Sequence, residues 1–321
     1  MENAYIIGFG AFGTSISKVL EKNSNINIYV YDINEEILED VRNNKKNSKY
    51  FPNFELSNLR FIKPGDKIEG YIFLTLPSKV IHSWVLKNNE SIGPTSIIIN
   101  MSKGFDTNGG LIYDLLKFNF PENLIITGKG PTFSDELIRG FPSLITFASE
   151  RLQAKDKMKK LFEKTNVNIE FSTDYKGVEI LSVLKNIYSI FIGIVDARYN
   201  AANTTFLAFS KSTEEIYRLS HYYGGISKTL LTSAGIGDFG LTSLNDLSRN
   251  RTFGLFVGKG FYESSKNVSN SVLIEGLRSI ELVYKSTVKD SNGDYPILDF
   301  LYAVFFRNTD LKYLNKLLME I

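Results

Sequence analysis

The stretch Ala4-Tyr5-Ile6-Ile7-Gly8-Phe9-Gly10-Ala11-Phe12-Gly13 passes from four apolar residues into three glycines spaced G-x-G-x-x-G, and Ile16, Val19 and Leu20 follow at helical spacing. The order is strand, tight turn, helix. In such a turn Gly8 permits the bend, Gly10 lets the main chain approach a pyrophosphate, and Gly13 lets the helix pack closely on the strand. The amides at the helix N-terminus meet the anion, which adds Ala11 and Phe12 to the cofactor-binding candidates. The alternative is a glycine turn used only for packing.

A second strand is predicted over residues 26–31, followed by Asp32 and by a helix over 33–41 with Ile37, Leu38 and Val41 on one side. This completes a βαβ unit. Asp32 suits hydrogen bonds to both ribose hydroxyls of NAD, its charge repels the 2′-phosphate of NADP, and Ile33 brings no compensating cation. NAD is the expected cofactor and NADP the less favoured one. Asp32 is equally suited to N-cap the helix starting near Asn34.

Further strands are expected over 70–76, 96–100, 124–127 and 143–148, with helices over 80–86, 111–118 and 153–164. Strands alternating with helices imply a parallel, doubly wound α/β sheet. After Asp174 the pattern changes to long helical segments at 175–196, 204–223 and 271–288 with no clear strand between them. The expected domains are therefore 1–174, binding dinucleotide, and 175–321, helical.

The 321 residues are 43% hydrophobic and 22% charged, with 8 Pro and 24 Gly, a composition that supports a folded core and excludes disorder as the default. There are 37 Lys and Arg against 35 Asp and Glu, a net charge of +2, with no basic block of the kind that tracks a phosphate backbone. Nucleic acid is not an expected partner. The chain has no cysteine and two histidines, so no disulfide, thiolate nucleophile or metal site is expected. No run is read as approaching the length of a membrane helix, and a cytoplasmic protein is expected.

Lys185 falls on an apolar stripe with Val178, Leu181, Tyr188 and Ile192. Desolvation there would lower its pKa toward the range of a general acid or base. The alternative is a lysine whose ammonium reaches water from the edge of the stripe. The glycine-rich segment 233–254 carries Asp238, Thr242 and Ser248-Arg249-Asn250-Arg251, where an arginine fork could take a phosphate or merely lie solvated. His82 and His221 read as half-buried or capping residues, which weakens a lactate- or malate-dehydrogenase reading based on a histidine acid.

Taken together these residues resemble the NAD(P)-dependent glycerol-3-phosphate dehydrogenases. The resemblance rests on the glycine turn, Leu76-Pro77-Ser78, Ser102-Lys103-Gly104, Gly130-Pro131-Thr132-Phe133 with Glu136, Leu184-Lys185-Asn186, Ala234-Gly235-Ile236-Gly237-Asp238, and Ser248-Arg249-Asn250 with Gly254. They follow family order across almost the whole chain. The resemblance implies a Rossmann domain, a helical substrate domain with a cleft between them, a homodimer, and a small phosphorylated substrate, dihydroxyacetone phosphate or sn-glycerol 3-phosphate. It implies Lys185 as catalytic lysine, Lys103 as a second lysine at the reacting carbonyl and Asp238 as acidic partner. Asn186 and Thr242 match polar substrate positions, Arg249 and Asn250 the phosphate-contacting pair, and Pro77, Ser78 and Arg249 further cofactor positions.

The chain departs from the family pattern at Lys129, where Ser is usual, and at Thr205 and Lys211-Ser212, where Arg and Arg-Gly are usual. An added cation and altered small residues would reshape the substrate pocket. A different phosphorylated or anionic ketone is therefore the alternative substrate, and a non-catalytic NAD-binding protein the alternative from another class.

Overall fold

The computed structural model describes residues 1–63, 65–261, 275–287 and 295–321. Two compact units emerge, Met1–Glu179 and Ile180–Ile321.

The first unit is built on eight strands: β1 (Glu2–Ile7), β2 (Ile26–Tyr31), β3 (Leu59–Phe61), β4 (Tyr71–Leu74), β5 (Ile97–Asn100), β6 (Leu124–Lys129), β7 (Ser143–Ala148) and β8 (Val167–Ser172). Six helices accompany them: α1 (Ala11–Leu20), α2 (Glu35–Asn44), α3 (Ser78–Asn88), α4 (Ile112–Asn119), α5 (Ser134–Ile138) and α6 (Gln153–Leu161). The sheet order is β3-β2-β1-β4-β5-β6-β7-β8. Chain order reverses between β1 and β4, and in open α/β sheets ligands bind outside the carboxyl ends of the strands at that point. The register brings those ends level: Ile7 pairs with Tyr31 and with Leu74, and Asn100 pairs with Leu74 and Thr127. Gly8, Asp32 and Thr75 consequently leave the sheet side by side.

The sheet is not wholly parallel as expected, because β7 runs antiparallel to β6, with Thr127 opposite Ala148. A parallel crossover must carry the chain back along the sheet, and the connection here contains only the five-residue α5, about 7.5 Å of rise. The chain therefore re-enters from the end it left. Strands β3 and β8 were not anticipated: one is three residues long, and the other is largely half-buried and weakly patterned.

The second unit takes up α7 (Tyr175–Tyr199) at its sixth residue and continues through α8 (Ala202–Tyr222), α9 (Asp238–Leu244), α10 (Arg249–Gly258), α11 (Glu275–Thr287), α12 (Pro296–Phe306) and α13 (Leu314–Glu320). Among the described residues it has no strand. The helix expected over 271–288 matches α11 within the described residues; 271–274 and 288 lie outside them. The expectation that no segment approaches membrane-span length needs correction. Helix α7 is long and apolar enough, with a mean hydropathy of 1.7 over an 18-residue stretch, but that stretch is entirely buried inside the protein, so the helix serves as a core helix.

Helices α7 and α10 meet backbone to backbone. A Cβ on Gly254 would lie 2.2 Å from the Ile190 carbonyl oxygen, and one on Gly193 2.3 Å from the Arg251 carbonyl oxygen. No side chain can yield at either point. Gly254→Ala should therefore force the helices apart and destabilise the protein by about 1–3 kcal/mol, the usual range for overpacking, read as a lower urea midpoint at constant m.

Glu215 on α8 is buried, accepting the Tyr188 hydroxyl at 2.7 Å and the α12 amides of Ile297 at 2.6 Å and Leu298 at 3.2 Å. It satisfies the otherwise open end of α12. Burial pushes its carboxyl up to about 7, against the opposing pull of those hydrogen bonds. A raised carboxyl pKa means the unfolded chain releases its proton first, so this group's stabilising contribution is complete below pH 4.5 and is lost as pH rises through about 7. The difference between wild type and Glu215→Gln should fall by about 3 kcal/mol across that window in urea titrations.

Candidate active site

At the first turn the three glycines have separable reasons. Gly8 sits at φ +100°, a conformation that favours glycine, and a Cβ on Gly13 would lie 2.1 Å from the Gly8 carbonyl oxygen. A Cβ on Gly10 would meet nothing within 4 Å. Packing thus dictates Gly8 and Gly13, whereas the open space at Gly10 is what an approaching pyrophosphate requires. Ala11, Phe12 and Gly13 are the leading residues of α1, whose first amides have no partner within the helix. The donor set fits a dinucleotide.

Asp32 accepts the Phe9 amide on Oδ2 at 2.6 Å and the Asn34 amide on Oδ1 at 2.9 Å. The carboxylate is thereby fixed at the end of β2 beside the glycine turn. It does not cap α2: Asn34 does, accepting from the Glu36 amide at 3.0 Å, and the helix starts at Glu35. The N-cap expectation shifts by two residues because Asp32 is taken up by the turn. Pro77 is exposed at the N-cap position of α3, and Ser78, its first residue, is buried. His82, on the same helix, is half-buried with Nδ1 3.1 Å from the Thr107 hydroxyl, while His221 is exposed in the last turn of α8.

Lys103 lies on the loop that leaves β5, half-buried, and its ammonium donates to the Gly130 carbonyl at 3.1 Å. The same loop is tied to the β4 exit by Ser102 Oγ donating to the Leu76 carbonyl at 2.5 Å.

In the second unit Lys185 is only 4% exposed, which settles against an ammonium that snorkels to water. Its Nζ donates to Asp238 Oδ1 at 2.7 Å and to Thr242 Oγ1 at 2.8 Å. Asp238 and Thr242 stand four residues apart on α9 and so share a face, which explains how one short helix supplies both. The approach to α9 depends on Gly235, where a Cβ would lie 2.2 Å from the Leu230 carbonyl oxygen. That clash accounts for a glycine in the Ala234–Asp238 motif.

Asn186 and Asn250 bond each other: Asn250 Nδ2 donates to Asn186 Oδ1 at 2.9 Å, Asn250 Oδ1 accepts the Gly276 amide at 3.1 Å, and Asn186 Nδ2 donates to the Ser182 carbonyl at 3.3 Å. The pair ties α7, α10 and α11 together. The two arginines part company. Arg251 is buried and fully engaged, to Asp246 at 2.9 Å, Asp196 at 2.7 Å and the Ser243 carbonyl at 3.0 Å, so it belongs to the scaffold. Arg249 is exposed at the first position of α10, and no ion pair or side-chain hydrogen bond holds it among the described residues.

The departures from the family pattern sort similarly. Thr205 donates to Asp196 Oδ1 at 3.1 Å and so joins the Arg251 cluster, Lys211 pairs with Glu214 at 3.3 Å, and Ser212 is fully buried. Lys129 is buried at the end of β6 with its ammonium on the Asn100 carbonyl.

A glycine turn at the switch point of an eight-stranded α/β sheet, followed by a helical unit with a buried lysine–aspartate–threonine centre, defines a Rossmann-type dinucleotide-binding protein. Residues 3–155 match the NAD-dependent glycerol-3-phosphate dehydrogenase N-terminus and residues 174–316 the NAD-dependent glycerol-3-phosphate dehydrogenase C-terminus. A glycerol-3-phosphate dehydrogenase [NAD(P)+] of Mycoplasma mobile is 32% identical over 319 residues, covering 96% of this chain and 93% of the relative. One from Clostridium perfringens is 28% identical over 326 residues, covering 100% and 98%. Among solved structures, glycerol-3-phosphate dehydrogenase from Coxiella burnetii superposes with a TM-score of 0.88 at 23% identity, covering 99% of this chain and 98% of that one. The chain belongs to the NAD-dependent glycerol-3-phosphate dehydrogenase family.

Proposed function

We propose that the chain interconverts dihydroxyacetone phosphate and sn-glycerol 3-phosphate with NAD(H), with Lys185 as the acid that protonates the ketone oxygen. The observation that carries this reading is the buried Lys185 ammonium, oriented by Asp238 and Thr242. A dinucleotide binder needs the glycine turn but not this centre. The family and its relatives' names support the substrate pair.

The Gly8–Gly13 turn, the α1 N-terminus and Asp32 would hold the cofactor, which when bound supplies hydride to the ketone carbon. As charge develops on the ketone oxygen, Lys185 stabilises it and transfers a proton from Nζ. Asp238 balances the ammonium charge and fixes its direction, and Thr242 fixes its second hydrogen bond. For Lys103 the family resemblance supports a role in polarising the reacting carbonyl. Arg249 takes the phosphate with its unengaged fork beside the amides of α10, with Asn186 and Asn250 setting the adjoining wall. Phosphate binding then presents the carbonyl in a reactive orientation.

Two outcomes test this. Arg249→Ala should raise KM for dihydroxyacetone phosphate about 10- to 150-fold, equivalent to about 1.5–3 kcal/mol of lost charge-assisted hydrogen bonding. An unchanged KM would place the phosphate elsewhere. With Asp32 held beside the turn, kcat/KM should favour NADH over NADPH by about tenfold or more, because a like charge faces the 2′-phosphate. Turnover confined to another phosphorylated ketone in the same assay would move the substrate while keeping the chemistry.

A further inference from the structure

Lys129 is among the largest fully buried side chains of the protein, and it ends a strand whose preceding residues are buried and uncharged. A lysine can hold such a place only if its ammonium is met by partners. Its Nζ donates to the Asn100 carbonyl at 3.1 Å and lies 4.0 Å from Glu179 Oε1. Glu179 is itself buried and accepts Asn100 Nδ2 at 2.5 Å and the Tyr113 amide at 3.0 Å.

Everything in this cluster converges on Asn100, the last residue of β5. Its side-chain Oδ1 accepts the Ser102 amide at 3.0 Å, which sets the direction in which the loop leaves the sheet. The next residue is Lys103, and its ammonium returns to the carbonyl of Gly130, the residue after Lys129. The two lysines thus close a ring between the exits of β5 and β6: Lys129 holds the root of the loop, and Lys103 is held at its tip.

We propose that Lys129 is a positioning residue for Lys103, its buried ammonium clamping the β5 exit to the β6 exit so that the Lys103 loop has one geometry. This rests on the reading of Lys103 as a group at the reacting carbonyl. Glu179 supplies a counter-charge to the Lys129 ammonium, and the two charges can be removed together.

The test compares wild type with Lys129→Met/Glu179→Gln, a double variant that removes both members of the buried ion pair, and with Lys129→Met alone. Two readouts are taken: steady-state reduction of dihydroxyacetone phosphate with NADH, and the rate at which acetic anhydride acylates Lys103, followed by peptide mass spectrometry with exposed Lys87 as reference. The double variant should retain the wild-type urea midpoint and NADH affinity while kcat falls about tenfold or more, as a displaced catalytic group requires. Lys103 acylation should rise about fivefold, the change expected when its hydrogen bond to the Gly130 carbonyl is loosened. If either kcat or Lys103 acylation in the folded double variant equals the wild-type value, the positioning role is overturned. If wild type reduces no phosphorylated ketone, the functional reading falls, and acylation alone then decides the positioning of Lys103.

Discussion

Replacing Lys185 by alanine lowers kcat for dihydroxyacetone phosphate reduction by about 10² to 10⁴, the range for loss of a positioned general acid. NADH affinity stays within about twofold, because the groups that would hold the cofactor are the glycine turn, the α1 N-terminus and Asp32, none of which the substitution alters. The size of the effect follows from burial. At 4% exposure the ammonium works where water cannot replace it as donor. Small primary amines added to Lys185→Ala should restore part of kcat in a saturable manner, since truncation opens space beside Asp238 and Thr242. Stopped-flow and steady-state loss of NADH absorbance measure both effects. Near-normal turnover would remove Lys185 from proton transfer.

Asp238→Ala produces the second large change, and it falls on stability as well as rate. Asp238 is 1% exposed and its carboxylate lies 2.7 Å from the Lys185 ammonium. Removing it strips the counter-charge from a buried cation, a change that costs about 3–5 kcal/mol where one member of a buried pair is deleted. Asp238→Asn keeps the shape and an acceptor oxygen, so it should fold more stably than the alanine variant yet still lose kcat. Urea midpoints separate the two variants, and kcat measured below both midpoints isolates the catalytic part. Equal midpoints for wild type and Asp238→Ala would mean that the pair contributes nothing to holding Lys185.

How much of this was legible in the sequence depended on whether the determining interaction was local. The β1–turn–α1 start was legible because both periods and all three glycines lie within twenty residues. Strand 143–148 was read at its observed limits, yet its direction was not, since strand direction depends on the five residues of α5 rather than on apolar alternation. Lys185 stood out as a cation on an apolar stripe. Its partner Asp238 lies 53 residues further along, and no periodicity links them; that pairing entered only through the family resemblance.

The same signal that exposed Lys185 was present elsewhere and went unread. Glu215 lies beside Ile216 on the buried face of α8, Glu179 lies between Val178 and Ile180, and Lys129 closes an apolar strand. Each is a charge in an apolar pattern, and each proves to be buried with partners from distant segments. The neighbouring Arg249 and Arg251 could not be separated by composition, because the difference lies in Asp196 and Asp246, which pair with Arg251 and not with Arg249.

The most direct test is the rate of NADH loss with dihydroxyacetone phosphate, measured side by side for the wild-type chain and for Lys185→Ala. Rapid turnover by the wild type that drops about 10²-fold or more in the variant, with NADH still bound, is the predicted result. Oxidation of NADH at equal rates by both proteins, or by neither, would contradict a dehydrogenase whose acid is Lys185.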